Sequence, residues 1–316
     1  MNDQRKRDCS KTGGLPKLTI VIPAYNCAQF IKNAVRSAIC CNPGCILVSD
    51  DGSADGTLYV ARESAANYAG RIHFHQNRVN MGMTAHWQQA MSTATTEYAL
   101  KLDGDDEVIP EYVEKAYEVL ETAPDIGIVG GRAHLIDADG KRISHADNII
   151  HEHEQGKTFL LSGPRAQEFL LNWYPYPASS STVYRMHMWR SIGGFNPLFR
   201  WCADREIYCR MVEKYSMGFI NSYGAEYRIH DQSVTRLHKD NDLFVYELDL
   251  LYDVMLRISR TTQLRKHIAI KYLRNGLSFF SSGKRAVLSG RAIELPNRTY
   301  AGAKSWIKAI AAISGY

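Results

Sequence analysis

At 316 residues the chain is long enough to bury one large core or two small ones. Its 45% hydrophobic and 22% charged residues exclude a fibrous or low-complexity chain, and no run reaches the roughly 18 apolar residues of a spanning helix. The net charge of +5 is unevenly placed: from Arg260 onward eleven Lys or Arg face the single acid Glu294, a net +10 that leaves −5 for the rest, which points to an anionic partner for the tail and excludes nucleic acid as the partner of the main body.

In chain order, residues 1–16 are polar, lack the apolar centre of a signal peptide and read as a disordered tail. The seven cysteines are odd in number, show no paired zinc spacing and read as reduced, cytosolic thiols that mostly pack. Residues 18–22 (LTIVI) predict a buried strand, ended by Pro23-Ala24-Tyr25-Asn26. Phe30, Ile31, Ala34, Val35, Ala38 and Ile39 then recur at helical spacing, and Pro43-Gly44 closes that unit. Residues 46–49 predict a second strand, followed by Asp50-Asp51-Gly52-Ser53. Leu58, Ala61, Ala65 and Tyr68 mark a second helix, and residues 71–75 a third strand with Ile72 and Phe74 on one face. Met83, Trp87, Ala90, Met91 and Ala94 outline a third helix, before a fourth strand over 98–102.

That strand runs into Asp103, Asp105 and Asp106, with Gly104 allowing a sharp turn. Pro110 suits the first turn of a helix carrying Val113, Ala116, Tyr117 and Leu120, and residues 126–129 predict a fifth strand. Three acids at the end of a buried strand repel one another and need a cation to stay charged and close. A hard divalent ion, Mn²⁺ or Mg²⁺, takes oxygen ligands and shares them with phosphates. The same stretch also reads as a solvated acidic turn, which is a common use of aspartate.

Strands alternating with helices predict an α/β fold with a mainly parallel central sheet flanked by helices. Ligands of such sheets bind beyond the carboxyl ends of the strands, which puts residues 23–26, 50–53 and 103–106 on one rim. Neither GxGxxG nor GxxxxGK[ST] is present, so a diphosphate has no glycine-rich cradle here. A metal at 103–106 supplies the missing positive charge, and Asp50 or Asp51 can accept hydrogen bonds from a base or ribose. As a plain turn, the same segment has Ser53 or Asp55 to cap the next helix.

VIPAYN, VSDDGSADGT, NRVNMG and LDGDD, in this order and spacing, resemble family 2 glycosyltransferases of the GT-A fold, over residues 18 to about 236. The resemblance implies a Rossmann-like, inverting enzyme that binds a nucleotide-sugar at the rim. It implies that Asp51 meets the base, that Pro23, Tyr25 and Asn26 line the nucleotide pocket and that Asp50 supports it. Asn80 and Gly104 fall on the same donor side. Asp103 is implied at the ribose or metal, Asp105 as metal ligand and Asp106 close by. Two departures stand out: Val79 precedes Asn80-Met81-Gly82 where the family often has Gly, and His86 and Trp87 replace small or Asn residues.

The second half is less regular. Asp137-Ala138-Asp139-Gly140, between Leu135-Ile136 and Arg142-Ile143, reads as a hairpin turn. His151-Glu152-His153-Glu154 is not HExxH and reads as a solvated loop. Gly163-Pro164 precedes a helical stretch over 169–173. Trp173 and Tyr176, in a WYPYP run, offer rings either to stack on a sugar acceptor or to pack a loop. Residues 179–184 predict a strand and 192–195 a turn, followed by Trp201-Cys202-Ala203-Asp204-Arg205-Glu206 before a helix marked by Ile207, Met211 and Val212. Asp204 reads as a helix N-cap from position alone. The resemblance implies instead the catalytic base, with Glu206 in support and Trp201 on the acceptor side; Ala203 stands where the family often has a first acid. Tyr227-Arg228-Ile229-His230, with Ser233, resembles the segment that ends the family's catalytic domain and implies His230 at the metal or diphosphate.

After Asp240, Phe244, Leu248, Leu251, Met255 and Ile258 keep one apolar stripe, which predicts a helix packed on the domain or on a second copy as a homodimer. Trp306, Ile307, Ile310 and Ile313, with Lys304 and Lys308, suit an anionic membrane surface. The expected organisation is a tail (1–16), a GT-A catalytic domain (17–238, with donor half 17–131 and acceptor half 132–238) and a helical, basic extension (239–316). The expected activity is inverting, metal-dependent sugar transfer from a UDP- or dTDP-sugar to a glycan or lipid-linked acceptor in surface polysaccharide assembly. The expected location is the cytoplasm, peripheral on the inner face of the plasma membrane. A carbohydrate-binding protein that has lost catalysis is opposed by the intact Asp105 and Asp204. A nucleotidyltransferase would carry a basic, glycine-rich loop where this chain has VIPAYN.

Overall fold

The computed structural model describes residues 14–143, 155–171, 177–233, 242–259, 261, 265, 266, 268 and 270. The expected roles of His151, Trp173, Tyr176 and the helix around Trp306 lie outside these residues. The first half alternates as anticipated: β1 (Leu15–Ala24), α1 (Ile31–Cys40), β2 (Pro43–Asp50), α2 (Thr57–Ser64), β3 (Ile72–Gln76), α3 (Met83–Ser92) and β4 (Tyr98–Lys101). Leu15, expected in the tail, already belongs to β1 and pairs with Pro43, which opens β2 rather than closing α1. Then follow β5 (Glu107–Val108), α4 (Pro110–Thr122), β6 (Ile126–Ile136), β7 (Thr158–Leu161), α5 (Gly163–Leu171), β8 (Val183–Arg185), α6 (Met186–Ser191), α7 (Ala203–Lys214), β9 (Ser216–Arg228) and α8 (Asp242–Ile258).

One sheet runs in the order β3-β2-β1-β4-β8-β6-β9-β5, with β7 also on β9. It is parallel from β3 to β4. Beyond β4 it is mixed: β8 lies antiparallel between β4 and β6, β6 and β9 are parallel, and β5 and β7 run against β9. An apolar run signals a buried strand but not its direction, so this change was not written in the sequence pattern. The strand expected over 179–184 is shorter, because Ser179–Ser181 forms a 3₁₀ turn before β8.

Alternate β1 and β4 side chains feed opposite faces of the sheet. Leu18, Ile20, Ile22 and Leu100 pack with α1 and α4, whereas Val21 and Ala99 pack with Met91 of α3, Trp189 of α6 and Ile207 of α7. A third cluster joins Cys202, Ala203 and Cys209 to Leu248, Leu251, Tyr252 and Met255. So α8 packs on the domain through the stripe read in the sequence.

Two local features hold the frame that carries the rim. Pro110 opens α4 in its first turn, as anticipated, while the far end of α4 has no basic residue of its own. Arg185 of β8 closes that end, donating to Leu120 O at 2.6 Å, Ala123 O at 3.1 Å and Ile126 O at 2.9 Å, and pairing with Glu97 at 3.1 Å. The hairpin at 137–140 forms as read, with Asp137 N donating to Lys141 O at 2.9 Å and Gly140 at φ 82°. Cys27, Cys41, Cys45, Cys202 and Cys209 are free thiols, but Cys40, contrary to the expectation of reduced cysteines, is disulfide-bonded. Among the described residues no helix is long and apolar enough to cross a membrane.

Candidate active site

The register of β1, β2 and β4 brings their carboxyl ends to one rim: Ala24 lies beside Asp50, and Val21 beside Lys101. At the end of β1, Tyr25 and Asn26 are exposed and Asn26 takes the left-handed conformation at φ 45°. Its backbone N–H donates to Ser53 Oγ at 2.8 Å and its Oδ1 accepts from Ala54 N at 3.0 Å, tying the two rim segments together. Pro23 is buried, and its carbonyl accepts from Gly104 N at 3.1 Å.

Asp50 and Asp51 are buried and engaged with protein. Asp50 accepts from Gln76 Nε2 at 2.7 Å and from the backbone and hydroxyl of Ser53. Asp51 gathers the next loop, accepting from Asn77 Nδ2 at 2.8 Å, Met81 N at 3.1 Å and Gly82 N at 3.2 Å. These bonds fix a wall on which Val79, Asn80 and Met81 are exposed. Asp55, not Ser53, organises the entry to α2, accepting from Thr57 N at 3.0 Å and Ala28 N at 3.0 Å. His86, a departure from the family pattern, is buried with Nε2 2.9 Å from Ser49 Oγ, and burial pulls its pKa down against the fields of Asp51 and Asp50.

The acidic turn is crowded. A Cβ on Gly104 would lie 2.9 Å from Cys27 Sγ and 3.2 Å from Pro23 O, so glycine is needed where the turn crosses the end of β1. Lys101 is fully buried; its Nζ lies 2.5 Å from Asp103 Oδ1 and 3.7 Å from the centre of the Trp87 ring. Ser180 Oγ lies 3.2 Å from Asp103 Oδ2 and 2.6 Å from Asp106 Oδ2. The other Asp106 oxygen accepts from Arg228 N at 2.8 Å. Arg228, itself buried, also donates from Nε to Asp105 O at 2.8 Å and from Nη2 to Glu107 Oε1 at 2.9 Å, with its guanidinium 5.0 Å from the Phe30 ring. Asp105 is the most open of the three acids, with Oδ2 3.1 Å from His230 Nε2 and its side chain 29% exposed, against 21% for Asp103.

These contacts revise the argument that three clustered acids need a metal to coexist. Burial first, then the neighbouring Asp105 and Asp103, push Asp106 well above the usual carboxylate range. Burial also raises Asp103, and Lys101 opposes that rise. The internal lysine therefore offsets part of the repulsion within the turn. Asp106, with both oxygens taken, stands apart from the expected metal set, and among the described residues no group of three or more His, Cys, Asp or Glu is arranged as a metal site. Asp105 offers the carboxylate oxygen that a hard divalent ion takes, and His230 beside it can add a nitrogen donor, with a ligand's phosphate oxygens completing such a shell.

Asp204 lies in the first turn of α7 but is not its N-cap; that position is Cys202. Asp204 Oδ1 accepts from Arg205 N at 2.8 Å. Burial raises its pKa, Arg205 and Lys101 lower it, and Asp103 raises it, so it sits in the field of the Lys101–Asp103 pair. Glu206 is not open to an acceptor: it is buried with its two oxygens each 2.6 Å from Arg210 nitrogens. Trp201 is half-buried, with its backbone N–H 2.6 Å from Glu247 of α8.

The sequence reading missed Lys101, Ser180 and Glu247 and undervalued Arg228. Lys101 carried a signal, a charge inside the apolar run YALKL. Glu247 carried another, an acid on the helical stripe between Phe244 and Leu251.

The chain matches the family model for glycosyl transferase family 2 over residues 19–188. It is 26% identical over 250 residues to the putative glycosyltransferase EpsE of Bacillus subtilis, covering 77% of this chain and 83% of that one. It is also 26% identical over 226 residues to a chondroitin synthase of Escherichia coli, but spans 30% of that longer protein. The fold is similar to that of S. aureus TarS 1-349 in complex with UDP-GlcNAc, with a TM-score of 0.66 at 15% identity, covering 94% of this chain and 81% of that one.

Proposed function

Because the chain belongs to glycosyl transferase family 2, and is thus a transferase enzyme, we propose that it moves a sugar from a UDP- or dTDP-sugar to a glycan or lipid-linked acceptor in surface polysaccharide assembly, with inversion. The observation that carries this reading is the meeting of the Asp103–Asp106 turn with His230 on one side and the field of Asp204 on the other. The similarity to a chondroitin synthase and to a protein solved with UDP-GlcNAc supports the choice of donor and product class.

In this reading the base rests between Tyr25, Asn26 and the wall that Asp51 holds. Asp51 shapes that wall through Met81 and Gly82. Lys101 orients Asp103 toward the ribose. Asp204, deprotonated, takes the proton of the acceptor hydroxyl as its oxygen bonds to the anomeric carbon. The bond from that carbon to the diphosphate breaks, and the electron pair leaves with the nucleotide. A Mn²⁺ or Mg²⁺ held by Asp105 and His230 would neutralise that leaving charge.

Thermal unfolding with UDP and dTDP, with and without Mn²⁺, tests the donor site. Binding to the native state alone should add about 2.7 kcal/mol at a ligand concentration of 100 Kd. The gain is expected to need Mn²⁺ and to be lost in Asp105→Ala. A protein that responds to neither nucleotide is not the transferase proposed.

A further inference from the structure

Glu247 is an acid on the apolar face of α8 and is 1% exposed. Burying a carboxylate is costly unless donors meet it. Here three successive backbone amides do: Arg200 N at 2.7 Å, Trp201 N at 2.6 Å and Cys202 N at 3.0 Å. Consecutive amides converge on one anion only where the chain curls round it as a nest. The same loop is also held by Thr84 of α3, whose Oγ1 donates to Phe199 O at 2.6 Å. Cys202 then serves as N-cap of α7, its carbonyl accepts from Glu206 N at 2.9 Å, and Asp204 lies between the two.

We propose that Glu247 is a positioning residue for proton transfer at Asp204. It touches neither substrate. It fixes the curl that starts α7, and with it the place of the Asp204 carboxylate. The donor-side groups Asp51, Asp105 and His230 make their hydrogen bonds to partners outside residues 199–202, so their contacts with a donor are expected to survive a change at Glu247. The inference rests on the reading of Asp204 as base.

The test compares the full chain with Glu247→Gln, which puts an amide NH₂ against N–H donors, and with Glu247→Asp, which keeps the charge. Three quantities are read: amide hydrogen exchange over 199–204, stabilisation by UDP with Mn²⁺, and UDP release from UDP-GlcNAc with water as acceptor, resolved into kcat and KM. In Glu247→Gln the amides of 200–202 should exchange faster, UDP stabilisation and KM should hold, and kcat should fall on the order of 100-fold, as for a misplaced catalytic group. Glu247→Asp should recover part of kcat. Wild-type kcat in Glu247→Gln overturns the proposal. A parallel loss of UDP stabilisation and kcat also overturns it, because that pattern marks general damage. Unchanged exchange at 200–202 removes the clamp itself. If wild type neither binds UDP nor releases it, the donor reading falls and takes the catalytic role of Glu247 with it, while exchange still decides the clamp.

Discussion

At the scale of single residues, Asp204 joins a chemical demand to a stability cost. Burial raises its pKa above the ordinary 3.8. A base must be deprotonated, so the acid limb of kcat is expected above the usual carboxylate range and should be read from a pH profile of UDP release. Asp204→Asn should lower kcat by about 10²–10⁴ while leaving UDP stabilisation intact. Stability follows the opposite sign. A group whose folded pKa is raised contributes stability that is present below its unfolded value and lost as pH rises through the folded one. Asp204→Asn should therefore raise Tm at neutral pH, and the gain should vanish near pH 3; equal shifts at both would refute this. Lys101 is the converse case. Lys101→Met leaves Asp103 without its cation and is expected to cost about 2 kcal/mol in denaturant unfolding.

At the scale of elements, Arg185 gives the clearest prediction. It answers the carbonyls at the end of α4 and the start of β6 from another strand. Arg185→Leu should cost about 3 kcal/mol, because those carbonyl acceptors lose their donor; a Tm within error of wild type would show that water replaces it. The parallel half was legible because its strands are apolar runs between Pro, Gly and Asp. The strand β9 was not, because SMGFINSYGAEYR is interrupted by Gly218, Asn221 and Gly224. The structure gives the reason for one of these. A Cβ on Gly224 would lie 2.5 Å from the Tyr112 ring, and one on Gly131 of neighbouring β6 would lie 2.3 Å from it. A ring from α4 occupies the space that side chains would need, and such a demand is set by tertiary contact, beyond any local pattern. The site shows the same division. The aspartates stood out by spacing, whereas Ser180 and Arg228 reach the turn from 74 and 122 residues away in sequence.

At the scale of the whole molecule, α8 is part of the domain rather than an appendage to it. Its apolar stripe covers Cys202, Ala203 and Cys209, and its Glu247 carries the loop before α7. A chain ended at residue 241 is therefore expected to bind a hydrophobic dye and to lose sugar transfer, although β1 to β9 remain in the sequence. A soluble, fully active truncation would return α8 to the status of an extension.

The reach of Arg228 has a further consequence, for the order of events during synthesis. The acids leave the ribosome early, at 103–106, but the amide and guanidinium that brace them belong to position 228. The first strands and helices can form by short-range closure, whereas this brace waits for a chain excursion of more than 120 residues. Translation at about 5–20 residues per second makes that an interval of roughly 6 to 24 seconds. During it the nascent acidic turn is without its Arg228 brace.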